Sequence, residues 1–378
     1  MNQQSTENSS NLTQSQLLIW TGQQLSSNVP LYNVVFTFEF DGEINIEHFQ
    51  NAFQILIDKS DSMRTVFETI DDIPNRNVLD SVSYVVEFLD FSSEKTAAEQ
   101  FQSWVDERVR KNFDLSKPLF DSVLIKIPNN KFIWYFNQHH LICDAWSVSV
   151  QYKALAETYG LLSKGTSVKD FELPQFKEYA EYEKNNHLKL KDSSINKYWE
   201  EKLKSVPDNI KLFGKSVEEN TTDSNRVSFS LGKQRAEKLF EIAKEKDIRL
   251  LTPKLTLFNI FATILFAYLY RINNEQKLVI GTPTHNRSTE DFKNTPGLFM
   301  EIFPLLIEIE QNDSFLSLYN RIKSETFGFL KNAQSGASYL SLSKSFKVIL
   351  NYITASYSDF DEKSSDVKWL HSGHHDSQ

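Results

Sequence analysis

The residues best placed to do chemistry in this sequence lie in one stretch, Lys131 to Ser147, KFIWYFNQHHLICDAWS. It carries two adjacent histidines, His139 and His140, then Cys143 and Asp144. An imidazole changes charge near neutral pH and can accept or return a proton in a reaction. A carboxylate a few residues on can orient such an imidazole, pair with a buried cation or ligate a metal. A thiol adds a soft ligand or a nucleophile. Proton transfer, metal binding, thiol chemistry and a purely structural hydrogen-bonded cluster are therefore the readings to be weighed.

The elements around these residues restrict the choice. An aromatic run leads into the histidines as a buried strand, and Ala145-Trp146-Ser147 opens a helical pattern. Successive strand residues point to opposite faces. His140 then shares a face with Gln138, Phe136 and Trp134, and His139 with Asn137 and Tyr135, so at most one histidine faces a given cavity. Ligands on opposite faces converge poorly on a metal, and zinc sites favour other spacings. Cys143 sits among apolar neighbours that raise a thiol pKa, the opposite of what a nucleophile needs. A second pair, His374-His375 followed by Asp376, echoes the motif on a polar tail and reads as incidental.

Strands and helices alternate through both halves, which indicates an α/β sandwich architecture. Residues 1–11 read as a disordered tail. A helix follows from Leu12 with Thr13 as its cap, then strands at Val34–Phe40, Met63–Thr69 and Val82–Leu89, and helices at Ile46–Lys59 and Thr96–Lys111. Ser122–Ile127 and Phe132–Gln138 form a hairpin about Pro128-Asn129-Asn130, and Trp146–Leu162 is the next helix. With 378 residues the chain is long for one core, so two lobes are expected, 12–165 and 226–378, joined by 166–225. In that connection Gly214 marks a turn and Glu218–Asp223 an exposed loop. The second lobe reads as a strand at Arg226–Leu231, a helix at Lys233–Lys246, and a long apolar helix opened by Thr252-Pro253. Strands at Lys277–Thr282 and Phe303–Ile309, a helix at Phe315–Lys331 and a last strand at Phe346–Ile353 follow. The tail from Asp359 shows no dependable strand pattern.

A net charge of −9 is a poor footprint for nucleic acid. The apolar run Leu255–Tyr270 is shorter than the ~20 residues of a membrane span and reads as a buried helix. A single cysteine rules out an intrachain disulfide. The polar N-terminus resembles no signal peptide, so the expectation is a cytoplasmic protein bound to neither nucleic acid nor membrane.

The segment His139-His140-Leu141-Ile142-Cys143-Asp144-Ala145 resembles the HHxxxDG signature of condensation domains of nonribosomal peptide synthetases, within the chloramphenicol-acetyltransferase-like superfamily. Further segments are similar in order: Leu12–Asn33, Ser62-Met63-Arg64-Thr65-Val66-Phe67, Phe113–Leu119, Gly281-Thr282-Pro283-Thr284-His285-Asn286-Arg287, Gly297–Leu305 and Asn351-Tyr352. The resemblance implies two α/β sandwich lobes in a V-shaped pseudo-dimer with a tunnel between them. Carrier proteins would bring donor and acceptor on phosphopantetheine arms, with no cofactor or metal bound by the domain itself. Adjacent adenylation and carrier domains are further expected partners. Family members continue beyond Asn351-Tyr352, so the second lobe is expected to be incomplete and unaided activity reduced. Ala145 replaces the usual glycine, and Asp121 stands where many members carry arginine.

The implied activity is an acyltransferase that forms an amide in natural-product assembly. His140 would act as base or as positioner of the amine. His139, Asp144 and Arg287 would support the site, Arg287 reaching Asp144 from the other lobe. Ala145, Trp146, Ser147, His285 and Asn351 would line the tunnel. The competing readings are an ester-forming acyltransferase acting on a free alcohol or amine, and a non-catalytic carrier-docking domain. No short motif encodes the donor or acceptor.

Overall fold

The computed structural model describes residues 10–93, 96–190, 193–207, 221–355 and 357–375. Residues 1–9, Gly214, 218–220 and Asp376, read above as parts of a tail, a turn, a loop and a tail motif, lie outside the described residues. Two compact units form. The first is Met1–Glu183 with Arg287–Phe299 and Ala355–Asp376; the second is Lys184–Asn286, Met300–Thr354 and Ser377–Gln378. Segments 287–299 and 355–376, read above as second-lobe sequence, thus belong to the first unit.

In the first unit, α1 (Gln14–Leu25), β1 (Asn33–Asp41), α2 (Ile46–Lys59), β2 (Thr65–Ile70), β3 (Ile73–Val78), β4 (Glu87–Asp90), α3 (Ala97–Arg108), β5 (Phe120–Ile127), β6 (Lys131–His139) and α4 (Ala145–Ser163) follow in order. A five-stranded sheet has the order β4-β5-β6-β1-β9, where β9 is Ser365–Leu370. Only β4–β5 is parallel. Asn129 and Asn130, with φ of 66° and 58°, close the three-residue loop Pro128-Asn129-Asn130 between β5 and β6, in a left-handed conformation that asparagine adopts more readily than most residues. Asp71 and Asp72, at φ of 49° and 61°, make the two-residue turn between β2 and β3, a turn type that needs positive φ at both positions. That hairpin extends the expected strand at Met63–Thr69, which begins as a 3-10 turn at Ser62–Arg64. Of the expected strand at Val82–Leu89, only the end pairs, as β4.

The alternation of β6 comes out as read. Trp134 and Phe136 enter a core with Phe38, Phe49, Phe53 and Tyr152, while Tyr135 joins Val35, Val123 and Val105 on the other face. Helix α2 supplies Phe49, Ala52, Phe53, Leu56 and Ile57, one face of a 3.6-residue repeat. The rings of Trp134 and Phe38 stack at 4.9 Å. Burying such rings is the main favourable term here, and their geometry adds specificity. Strand β9, in the tail that showed no pattern, pairs antiparallel with β1 from Val35↔Leu370 to Phe40↔Ser365. It is a half-exposed edge, so its own residues carry little hydrophobic signal.

The second unit holds the C-terminal part of α5 (Phe176–Leu190), then α6 (Ser194–Lys204), α7 (Gly232–Ile242), α8 (Pro253–Asn273) and β7 (Lys277–Thr284). After α9 (Glu290–Asn294), which belongs to the first unit, come β8 (Glu301–Glu308) and α10 (Phe315–Asn332). Thr252 caps α8 and Pro253 occupies its first turn, as expected. Among the described residues α8 is the helix long and apolar enough to cross a membrane by length and composition. Its Ala262, Phe266 and Leu269 instead pack in a core with Phe303, Leu305 and Ile322. Asn259 within it is satisfied, donating to Leu255 O and accepting from Thr326 Oγ1.

Two expected strands do not form. Arg226–Leu231 has no strand partner among the described residues, and Val227 and Phe229 are 73 % and 92 % exposed. The Phe346–Ile353 stretch makes a single parallel bridge, with Gly281 N donating to Val348 O and Leu350 N to Gly281 O. That close approach explains the glycine, since a Cβ on Gly281 would lie 2.4 Å from the Phe346 ring. Gly281→Ala is expected to lower stability by about 1–3 kcal/mol, as overpacking does. A urea midpoint equal to the parent's would show that Phe346 can move aside.

Candidate functional site

Strand β6 ends at His139, and Asp144 caps α4. Between them the chain turns, fixed by His139 N donating to Leu119 O, His140 N to Tyr32 O and Ile142 N to His139 O. Helix α1 braces the same turn. Its Gln16 and Gln23, seven residues apart and so on one helix face, are both buried. Gln16 Nε2 donates to Leu141 O at 3.0 Å. Gln23 Oε1 lies 3.2 Å from His139 Nε2.

This arrangement assigns the His139 tautomer. Leu141 N donates to Nδ1 at 3.2 Å, so Nδ1 must be the unprotonated nitrogen and Nε2 the donor. Gln23 Nε2 is spent on Ser26 O and Val29 O, leaving its carbonyl oxygen to accept. The ring lies 5.9 Å from Tyr32 and 6.2 Å from Phe113, centroid to centroid. Burial, with the neighbouring His140, lowers its pKa to about 3. His139 is therefore a neutral structural imidazole.

Its titration makes a stability prediction. Folded His139 takes up a proton only near pH 3, whereas an unfolded imidazole does so near its ordinary 6.5. Between those values the unfolded chain binds the extra proton, so stability falls as pH drops below about 6.5 by up to ~1.4 kcal/mol per unit. His139→Gln should flatten this share of the slope between pH 6.5 and 4.5 in urea titrations. An unchanged slope would mean that the ring protonates in place.

Asp144 is buried and meets donors from three directions. Its Oδ1 accepts from Ser147 N at 2.8 Å and Arg287 Nη2 at 3.0 Å; Oδ2 accepts from Phe299 N at 3.1 Å. Burial opposes its ionisation, but Arg287 and these amides outweigh that and hold the carboxyl below its ordinary pKa. Arg287 spends Nη1 on the carbonyls of Phe292 and Thr295, both at 2.6 Å, and its guanidinium lies 3.9 Å from the Phe299 ring centre. Burial also lowers the Arg287 pKa against the pull of Asp144, but a guanidinium starts high enough to remain charged. Ser147 Oγ completes the network, accepting from Gly297 N at 2.8 Å and Arg287 Nη2 at 3.0 Å. Gly297 has φ +154°, and a Cβ there would lie 2.1 Å from Phe176.

His140 differs from both. It is half-buried, and its Nδ1 is buried with no hydrogen-bond partner. Burial lowers its pKa, offset in part by Asp144 and by the carbonyls of His140 and Cys143. The ring is thus neutral at pH 7 and only half-buried. Cys143 is fully buried and its thiol pKa is pushed up by burial, as its apolar setting suggested. The possible metal ligands do not converge: His139 is tied to Leu141 and Gln23, and Asp144 to Arg287.

A family model, the condensation domain, matches residues 6–350. The chain belongs to the condensation domain family. Bacitracin synthase 1 of Bacillus licheniformis is 24 % identical over 328 residues, which cover 85 % of this chain and 6 % of that protein. Phosphinothricin tripeptide synthetase PhsC of Streptomyces viridochromogenes is 25 % identical over 312 residues, 81 % of this chain and 28 % of its own length. The condensation domain therefore spans a small part of these curated relatives. Among solved structures, the first condensation domain of the calcium-dependent antibiotic synthetase aligns with a TM-score of 0.81 at 18 % identity, covering 97 % of this chain and 85 % of that one. The starter condensation domain of rhizomide synthetase aligns at 0.74 and 20 % identity, covering 96 % and 83 %. These likenesses establish the chloramphenicol-acetyltransferase-like α/β fold.

Within this condensation domain the departures from the family pattern have local explanations. Ala145 is the first residue of α4 and is not among the positive-φ residues, so the position does not require glycine. Asp121 is buried and takes both Nε and Nη2 of Arg108, at 2.6 and 2.8 Å. Trp146 is partly exposed and its Nε1 donates to Lys293 O at 2.9 Å. His285 and Asn351 are exposed residues of the second unit. Arg287 was expected from the other lobe, yet it belongs with Asp144 in the first unit. Of the tail histidines, His375 is exposed and His374 partly so, both in the first unit. Reading the sequence missed Gln16, Gln23, the Phe292 and Thr295 carbonyls and the Gly297 amide, of which only the helical spacing of the two glutamines left a trace.

Proposed function

We propose that this condensation domain forms an amide by transferring an acyl or peptidyl group from a carrier-bound thioester to an amine, with His140 at the reacting centre. The observation that supports this reading best is the neutral imidazole of His140, which is only half-buried, beside an Asp144–Arg287 pair that fixes the turn carrying it. Attack of the amine nitrogen on the thioester carbon forms the C–N bond and, as the intermediate collapses, breaks the C–S bond. The amine loses one proton and the leaving thiolate of the phosphopantetheine arm gains one. A neutral imidazole can carry that proton between them. An α-amine with pKa of about 8 is already partly neutral at pH 7, so His140 contributes by positioning the amine as well as by accepting its proton. The partners implied are a donor and an acceptor carrier protein, each supplying its own phosphopantetheine arm.

Intact-protein mass spectrometry tests this directly. The chain is mixed with an acyl-loaded carrier and an aminoacyl-loaded carrier, and in parallel with free amines and alcohols. The expected result is mass transfer onto the aminoacyl carrier, dependent on His140. Acylation of free alcohols alone would establish an ester-forming enzyme instead. Carrier binding without any transfer would establish a docking domain.

A further inference from the structure

Strands β7 and β8 pair antiparallel from Lys277↔Glu308 to Thr284↔Glu301. The chain between them makes an excursion: it leaves the second unit after Asn286, contributes Arg287–Phe299 to the first, and re-enters the second at Met300. This strap supplies Arg287 Nη2 and Phe299 N to Asp144, Gly297 N to Ser147 Oγ and the Lys293 carbonyl to Trp146. Its neck is closed by a side-chain hydrogen bond just past the last rung of the ladder, where Asn286 Nδ2 donates to Glu301 Oε1 at 2.7 Å. Asn286 holds φ +51°, a left-handed conformation that asparagine tolerates and that turns the chain out of β7.

Glu301 is 2 % exposed and is itself tied down. Its Oε1 also accepts from Gly336 N at 2.8 Å, and Oε2 from Ser338 N at 2.9 Å. Both amides belong to the buried turn after α10, which α5 fixes in its own right. Asn186 Nδ2 donates to Ser335 O at 2.5 Å and His187 Nδ1 to Gly336 O at 2.7 Å. A buried carboxyl needs such donors, and two of its three come from a backbone that does not depend on Asn286. Glu301 is therefore a fixed post to which Asn286 is tethered.

We infer that Glu301 is a positioning residue: anchored on turn 335–338, it holds Asn286, and so the root of the strap, where Arg287 and Phe299 N meet Asp144. The inference rests on the role proposed for the turn that carries His140. Arg287 follows Asn286 directly, so rotation at the Asn286 backbone displaces it. The strap is also closed on itself, because Arg287 Nη1 takes the Phe292 and Thr295 carbonyls. A shift at its root thus carries Arg287, Gly297 and Phe299 together, and Asp144 loses several donors at once.

Glu301→Ala would strand the Gly336 and Ser338 amides as well, so the test alters the other partner. Asn286→Gly keeps the left-handed backbone without strain and deletes only the side-chain amide. Asn286→Asp keeps the shape but sets an acceptor against the Glu301 carboxyl. Hydrogen exchange of the whole chain is read by NMR at Gly297 N and Phe299 N on the strap, and at Phe303 N and Leu305 N on β8. Exchange on the strap should quicken by about five- to tenfold in Asn286→Gly, the effect of losing one hydrogen bond, and further in Asn286→Asp. The β8 amides should be unchanged, because the opening is local. Equal quickening at the strap and at β8 would mean that Asn286 merely stabilises the second unit, and it overturns the inference. So does an Asn286→Asp strap that exchanges no faster than the parent's, since an acceptor facing Glu301 must push the neck apart. Where amide formation is measurable, kcat should fall with the lost protection while KM for the loaded carriers holds. Quickened strap exchange in a chain that makes no amide would sustain the clamp and count against the proposed reaction instead.

Discussion

Asp144→Ala is expected to destabilise the first unit by about 3–5 kcal/mol, the usual consequence of leaving one member of a buried ion pair without its partner. Both side chains are almost wholly buried, at 2 % and 3 % exposed, so solvent cannot take over from the lost carboxylate. Arg287 would keep the Phe292 and Thr295 carbonyls on Nη1, but its charge would remain uncompensated. The Ser147 and Phe299 amides would also lose their acceptors, and removing such a helix cap costs roughly 1 kcal/mol by itself. Asp144→Asn retains a capping oxygen and the side-chain shape, so it should fall between the parent and alanine. Pairing Asp144→Ala with Arg287→Ala should cost less than the sum of the two, by about 1–3 kcal/mol, because the double variant buries no lone charge. Urea unfolding of the four proteins measures this. An Asp144→Ala protein as stable as the parent yet inactive would reverse the assignment and make Asp144 a participant in the reaction.

How much of this was legible in the sequence differs by element. Strand β6 and helix α8 announced themselves because the signal is local: apolar residues at a period that matches one element, bounded by recognisable ends. The Asp144–Arg287 contact has no such local signal. It joins positions far apart in sequence, and only the family resemblance put the two together. Strand β9 shows the same limit from the other side. Its Asp366 and Lys368 alternate with Val367 and Trp369, an unremarkable polar pattern, and it becomes a strand because β1 presents an open edge. At Arg226–Leu231 the alternation of Val227, Phe229 and Leu231 met every local requirement, yet no neighbour pairs with it among the described residues. A strand is a property of a pair, so periodicity alone overstates one case and misses the other.

His140→Ala separates chemistry from support. The ring is half-buried and its Nδ1 makes no hydrogen bond, so its removal takes little from the fold, and a melting temperature near the parent's is expected. His139→Ala, by contrast, removes a fully buried ring with partners on both nitrogens and should unfold more readily. If His140 carries the amine proton, amide formation should fall by about 10²–10⁴-fold, the range general acid–base catalysis supplies, with carrier binding unchanged. The pH profile then divides the two contributions assigned to it. Proton acceptance gives kcat/KM an acid limb below the ordinary imidazole value, because burial lowers the His140 pKa, and that limb should vanish in the alanine variant. Positioning gives a loss that is uniform in pH and partly restored by His140→Gln, which can still hydrogen-bond the amine. An alanine variant that turns over loaded carriers at the parent rate would remove His140 from the reaction altogether, and the unpaired nitrogen would then need another explanation.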